Sequence, residues 1–360
     1  QLTYSQFSGN DNLFISLGGD GFPEIAFDWD WGNYTNNLTW KYIPSNNYFI
    51  ESNLSRTIYD FTVGFDVDFV TDSTEVVEDG NEEGISDEDS NLGFDIYNFV
   101  EDISLTQSAT YVYSEDLRFK MGWQFKKMNM DYKETFAGIE RIQLISKPKI
   151  NSVFFSSIFR PLPFFSLSLG SRLSQFSSYS KTLIDPRIAV KYNVSSDFVL
   201  KGSWGIFSQF LYTLNQEDEL LRIVDFWQPI PDGEKPQKAE HFIIGGEYWI
   251  SNGNTISLEG YYKKYYTLYD LNPVFDPANI ANSMAVSGTG SAYGIEFLYR
   301  LRFKSLSGWI GYAHSNFMRE IDLNSDGVIW EERENYPAKY NKPQSFMAVF
   351  SYKLNNKYNL

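Results

Sequence analysis

The chain has 360 residues, a formal charge of −16 with a pI of about 4.6, 18% aromatic residues and no cysteine. Zero cysteine excludes a disulfide framework, thiolate metal sites and thiol nucleophiles, and the acidic balance argues against nucleic acid as a partner, because phosphate binding takes clustered Lys and Arg. No stretch approaches the roughly 20 consecutive apolar residues of a membrane-crossing helix, but barrel strands need only about 9–11 tilted residues with every second one facing lipid, so a membrane location stays open.

In chain order, turn chemistry separates a series of short alternating segments. The first predicted strands are Asn36–Ile43 and Tyr48–Asp60, parted by Pro44-Ser45-Asn46-Asn47, where Pro fixes φ and Asn tolerates left-handed geometry. Phe61–Val70 and Phe94–Glu101 follow, joined by an acidic segment. From Asp66 to Asn91 there are 11 carboxylates and no Lys or Arg, which leaves a charge of −5 on the rest of the chain. Such a run reads as a solvated extracellular loop within residues 66–93 rather than a cation trap.

Leu105–Ser114 and Asp116–Met128 come next across a tight turn, then Ile150–Phe159 and Phe164–Gln175 across Arg160-Pro161-Leu162-Pro163. In Phe164–Gln175, Phe165, Leu167, Leu169 and Leu173 alternate with Ser166, Ser168, Gly170 and Arg172. Side chains of a strand point to opposite faces with a period of two, so one face is apolar and the other wet. Pro186–Val194 pairs with Phe198–Phe210, and His241–Ile250 with Thr255–Tyr266, each through a short turn. Long connections lie near 211–238, 268–290 and 318–344, and connections of that length are usually functional. Short turns on one rim and long loops on the other describe an outer-membrane barrel. Aromatics near strand ends (Phe154, Phe155, Phe159, Phe164, Phe165, Tyr261, Tyr262, Tyr265, Tyr266 and Tyr269) read as membrane-boundary belts. One all-β unit spanning 1–360 is the expected organisation.

Four segments carry a family resemblance, and they occur in the family's order. Ser287–Trp309 (SGTGSAYGIEFLYRLRFKSLSGW) resembles a late barrel segment of TonB-dependent outer-membrane receptors. Tyr336-Pro337-Ala338-Lys339-Tyr340 followed by Phe346–Leu354 is similar to the strand after the next long loop. Lys235–His241 opening Phe242–Trp249 and Leu258–Lys263, and Asp185-Pro186-Arg187 starting a strand, complete the match. The resemblance is best from Ile184 onward; Asn341-Lys342-Pro343-Gln344 departs from it, where many relatives carry Asp and His. It implies a Gram-negative outer-membrane barrel of 22 strands, filled by an N-terminal plug and importing a scarce ligand (siderophore-iron, cobalamin, oligosaccharide or peptide) with energy passed by TonB. At this loop content the chain holds roughly 14 strands. It begins at Gln1 without a leader and stops at Leu360 as a strand begins, so a fragment lacking the plug and the last strands is expected. Outer-membrane lipid, the plug and the TonB complex are the partners the resemblance implies.

No catalytic pattern is present: no Ser/His/Asp order, Gly-rich phosphate loop or HExxH. Asp322, Asn324 and Asp326, with Gly327 next, copy the first part of a calcium loop, but its twelfth position is Arg333. A bound calcium and a polar turn are the two readings; otherwise no cofactor is implied. His241 and His314 are expected to be structural. Arg172, Arg187, Lys191, Glu259, Glu296 and Arg300 sit opposite apolar positions and should face the interior, since Arg or Lys on the lipid face at mid-depth costs about 2–4 kcal/mol. In the resembled family such residues meet the plug. A passive porin and a soluble carbohydrate-binding β-sandwich are the alternatives.

Overall fold

The computed structural model describes residues 1–19, 22–68, 91–214, 226–251, 253–272, 284–321, 336–338 and 341–354. Its strands are β1 (Leu2–Gly19), β2 (Phe22–Ser45), β3 (Tyr48–Asp68), β4 (Asn91–Ser114), β5 (Leu117–Phe136), β6 (Ile139–Ser146), β7 (Lys149–Leu162), β8 (Phe165–Phe176), β9 (Tyr179–Asn193) and β10 (Phe198–Gln209). Then follow β11 (Leu211–Leu214), β12 (Phe226–Pro229), β13 (Gln237–Ser251), β14 (Asn254–Leu271), β15 (Ala285–Phe303), β16 (Leu306–Ile321), β17 (Tyr336–Pro337) and β18 (Gln344–Tyr352).

All but β11 and β12 form one antiparallel sheet whose neighbours follow sequence order, with β10 pairing directly with β13. β5 pairs with β6 along its upper half and with β7 along its lower half, so β6 and β7 are two pieces of one wall strand. Lys147-Pro148 parts them, and the Met128 N–H bridges the gap by donating to the Pro148 carbonyl at 2.9 Å. β17 and β18 divide the other flank of β16 in the same way. The path therefore has 14 wall positions and does not close: β1 and β18 are its free edges among the described residues. This is a wall of a barrel, and among the described residues its apolar outer face carries no second sheet, unlike a sandwich.

Cross-strand register assigns every side chain to a face. In the lower part of the wall, the outward row is apolar and exposed: Leu38, Leu54, Leu105, Met121, Val153, Leu169, Ile184, Leu200, Ile244 and Ile295. The inward row there is small or polar, with Ser55 bonded to Ser104 at 2.7 Å, Ser152 to Ser174 at 3.0 Å, and Gln124 donating to Thr106 at 3.0 Å. Water inside and hydrocarbon outside account for both choices.

Higher up, β2 to β5 exchange the two roles at a common height. Outward positions become Asp28, Asp30, Asp60, Thr62, Asp66, Asp95 and Asp131, while inward positions become Phe27, Trp29, Trp31, Phe61, Val63, Ile96, Met128, Met130 and Tyr132. Each strand continues unbroken through the switch. The exchange marks where the outer surface leaves lipid for water and the inner surface acquires something apolar to pack against.

Several sequence expectations need correction. Tyr48–Asp60 and the described part of Phe61–Val70, up to Asp68, are one strand, as are Phe94–Glu101 and Leu105–Ser114, because the change of apolar face imitates a strand end. Asp185-Pro186-Arg187 lies inside β9 rather than opening it. Pro186 pairs with Ser171 on one side, while β10 pairing stops at Arg187, so no ladder needs the missing N–H. The long-loop rim also carries tight turns, at Ala137-Gly138 with φ of 48° and 70°, and at Ser177-Ser178. The aromatics divide between faces: Phe155, Phe159, Phe165, Tyr262 and Tyr266 point outward, whereas Phe154, Tyr261 and Tyr265 point inward.

Candidate functional site

Residues 211–214 and 226–230 pack into the interior. β11 and β12 form a small two-stranded sheet of their own, with Leu211 opposite Pro229 and Leu214 opposite Phe226. Phe226, only 1% exposed, enters the inward aromatic patch of β3 and β5, its ring 5.9 Å from Phe61 and 5.7 Å from Tyr132. Asn98, fully buried on β4, accepts from the Trp227 N–H at 2.9 Å and donates to the Trp227 carbonyl at 3.3 Å. On the other side, Tyr212 of β11 meets Tyr269 of β14 at 5.5 Å. The hairpin thus spans from the β4–β5 wall to the β14 wall, and at its open end the Ile230 N–H donates to the Phe210 carbonyl at 3.0 Å and the Gln237 side-chain amide to the Leu211 carbonyl at 2.8 Å.

Burial controls the acid–base character of this region, which lies above the outer polarity switch. It pushes the hydroxyls of Tyr132, Tyr212 and Tyr269 well above the usual phenol range, and Tyr132 is held further by the neighbouring Glu134 carboxylate that accepts its hydrogen bond. Burial likewise raises the Glu134 carboxyl. At neutral pH the tyrosines are neutral donors in an apolar setting.

Between the hairpin and the wall of β10, β13, β14 and β16 lies a cleft of about 460 Å³, lined among others by Phe207, Trp227, His241, Tyr265, Tyr269 and Arg319. Its floor is basic. Arg187, Gly205, His241 and Lys263 stand side by side across β9, β10, β13 and β14. Gly205 leaves room for the arrangement, since a Cβ there would lie 3.1 Å from Arg187 and 3.2 Å from the Phe207 ring. Each cation rests on a ring: Arg187 over Phe207 at 4.4 Å, Lys263 over Tyr261 at 4.9 Å and Arg319 over Phe317 at 5.6 Å, with His241 stacked 4.6 Å from Phe207. Arg187, His241 and Lys263 make no ion pair among the described residues. Arg319 pairs with Asp270 at 2.7 Å, yet its buried Nε has no partner there.

Four residues closer to the short-turn rim, a second inward row reads Lys191, Lys201, Gly245, Glu259 and Glu296 across five neighbouring strands. Two cations and two carboxylates are thereby segregated on one contour. Lys201 is joined to Glu247 at 2.7 Å, whereas Glu259 and Glu296 face each other with no ion pair among the described residues. The six charged residues singled out from sequence, Arg172, Arg187, Lys191, Glu259, Glu296 and Arg300, all lie on the inward face. Sequence reading did not find Arg319 or the hairpin. Asp322, Asn324 and Asp326 of the calcium-loop pattern lie outside the described residues, as does most of the acidic segment. Among the described residues, no three His, Asp or Glu side chains gather as metal ligands.

Comparison with known proteins bears on this geometry. A family model described as "TonB dependent receptor-like, beta-barrel" matches residues 1–358. No curated protein matches by sequence. Among solved structures, the RagAB peptide importer in its closed-closed state is similar with a TM-score of 0.53 at 11% identity, over 83% of this chain and 37% of that one. The ferripyoverdine receptor of the Pseudomonas aeruginosa outer membrane, bound to ferripyoverdine, gives 0.54 at 8% identity over 99% and 58%. The siderophore receptor PirA from Pseudomonas aeruginosa gives 0.50 at 8% over 98% and 71%. At such identities the likeness is one of fold, and the chain spans little more than a third of the importer's length.

Proposed function

Since the chain belongs to the TonB-dependent receptor-like β-barrel family and so to the Gram-negative outer membrane, we propose that it forms the ligand-capturing wall of a receptor whose import step is energised through TonB. The observation that carries this reading is the inward hairpin. A passive pore keeps a wet, open bore, whereas here β11–β12 crosses the interior, seats Phe226 in an aromatic patch and walls one side of a cleft. A concave, ring-lined cleft with a few polar groups suits retention of a dilute solute.

The charge-segregated row supports a second component of the same proposal. Like charges placed opposite each other across a ladder are unfavourable, so Glu259 and Glu296 are accounted for by a cationic group supplied from the barrel's filling, the plug. Lys191 and Lys201 suit an acidic group beside it. The test is accumulation of ligand by cells expressing the full chain, with and without TonB. Accumulation that needs TonB supports the receptor; ion conductance in planar bilayers, with uptake indifferent to TonB, supports the porin instead.

A further inference from the structure

We infer that the cleft beneath the β11–β12 hairpin binds a carboxylate-bearing ligand, with Arg319 and His241 as its polar contacts and Arg187 and Lys263 as flanking cations. This rests on the receptor reading and names the chemical class of what that receptor captures.

The argument begins with charge balance. The chain carries −16 overall, and the outward face above the lipid boundary is acidic at Asp28, Asp30, Asp60, Asp66, Asp95 and Asp131. Against that background, Arg187, His241 and Lys263 are gathered in one inward row without anionic partners among the described residues. Asp185, buried beside them, is already engaged by the Ser208 hydroxyl at 2.8 Å and by the Ser208 N–H at 3.3 Å. Arg187 and Lys263 have therefore not been placed to satisfy a neighbouring carboxylate of the wall.

Arg319 sharpens the assignment. One guanidinium nitrogen holds Asp270, while the buried Nε–H, in a residue that lines the cleft, lacks an acceptor among the described residues. A buried unpaired donor costs about 1–3 kcal/mol, which an acceptor in the cleft recovers. Guanidinium groups suit carboxylates because their planar fork matches two oxygens. Phe207, Trp227, Tyr265 and Tyr269 supply flat apolar walls, and a space of about 460 Å³ suits a short peptide or an organic acid. The cleft lies under the hairpin, four residues or about 13 Å along the strands from the row assigned to the plug, so the two charge sets address different occupants.

Two probes share this chemistry and separate its sources: citrate, and N-acetyl-triglutamate against its isosteric triglutamine form with an amidated C-terminus. Titration calorimetry on the full chain in detergent should give one carboxylate probe at least a tenfold advantage over triglutamine, weakening with salt. Whichever probe binds identifies a small acid or a peptide as the source. Arg319→Lys keeps a charge for Asp270 but removes the Nε donor, and should lower carboxylate affinity roughly tenfold while leaving triglutamine unchanged. Arg187→Met with Lys263→Met should reduce the salt dependence. No saturable carboxylate binding, no preference over triglutamine, or a preference indifferent to both variants overturns the inference. Loss of the preference with TonB-dependent uptake intact sinks this inference alone; carboxylate binding with uptake indifferent to TonB sinks the receptor reading instead.

Discussion

Asn98 holds the backbone of Trp227 from 129 residues away, accepting from its N–H at 2.9 Å and donating to its carbonyl at 3.3 Å. This carboxamide answers both backbone polar groups of Trp227, beside the ring cluster of Phe61, Tyr132 and Phe226. Asn98→Leu leaves both orphaned, at a cost of about 1–3 kcal/mol in hairpin docking. Hydrogen exchange should accelerate at Phe226–Gln228 while the β10–β13 ladder stays protected; unchanged exchange would show that ring packing alone seats the hairpin.

The polarity switch predicts opposite tolerance on one strand. Leu54 and Thr62 both lie on the outward, exposed face of β3, on either side of the switch. Leu54→Arg places a charge at mid-depth and should cost about 2–4 kcal/mol, measured by urea titration in lipid vesicles. Thr62→Arg should fall within about 0.5 kcal/mol of wild type. Equal costs would mean that the lipid boundary lies elsewhere.

Alkaline pH should undock the hairpin. Tyr132, Tyr212 and Tyr269 have folded-state pKa values raised by burial, so the undocked form loses its phenolic protons first. The stabilisation is fully present below the ordinary phenol value of about 10 and fades as pH rises above it. Phenolate absorbance and Trp227 fluorescence should change together in that range. Titration of phenolate at the ordinary value, without any fluorescence change, would contradict the burial.

Gly122 is a packing requirement rather than a turn. A Cβ there would come within 2.3 Å of the Phe154 ring and 2.7 Å of the Gln107 carbonyl, and that carbonyl is backbone. Gly122→Ala should destabilise the wall by about 1–3 kcal/mol and displace Phe154, whose ring lies under Arg172 at 6.0 Å. A melting temperature equal to wild type would refute the close approach.

Glu259→Gln with Glu296→Gln removes a like-charge opposition in the wall while cancelling the carboxylates assigned to the plug. In the full chain the expected result is a loosened plug, read as increased entry of a bulky antibiotic, without loss of assembled barrel. Unchanged entry would detach this pair from the plug.

How far the sequence could be read depends on which face was apolar. Where one face meets lipid throughout, as in Phe165–Phe176, Pro186–Asn193 or Thr255–Tyr262, alternation locates the strand and assigns Arg172, Arg187 and Glu259 inward. In β3 the apolar set moves from Tyr48, Ile50, Leu54 and Ile58 to Phe61, Val63 and Phe65, an odd-numbered step within a continuous strand. A period-two pattern that changes phase looks like an ending. β4 does the same between Val100 and Ile103, and β5 between Phe125 and Met128. The hairpin was illegible for another reason: β11 and β12 have only four residues each, and their stability comes from Asn98, Tyr132 and Tyr269, all distant in sequence. Arg319 was hidden because its significance is a missing partner, which only packing reveals.

Since β10 and β13 are hydrogen-bonded neighbours along Phe198–Gln209 and Gln237–Tyr248, the chain between them can be exchanged without shifting a single rung of the wall. On the receptor reading proposed above, exchanging the segment between Gln209 and Gln237 would redraw one side of the cleft while the outward apolar row and the Lys191–Glu296 row are inherited unchanged.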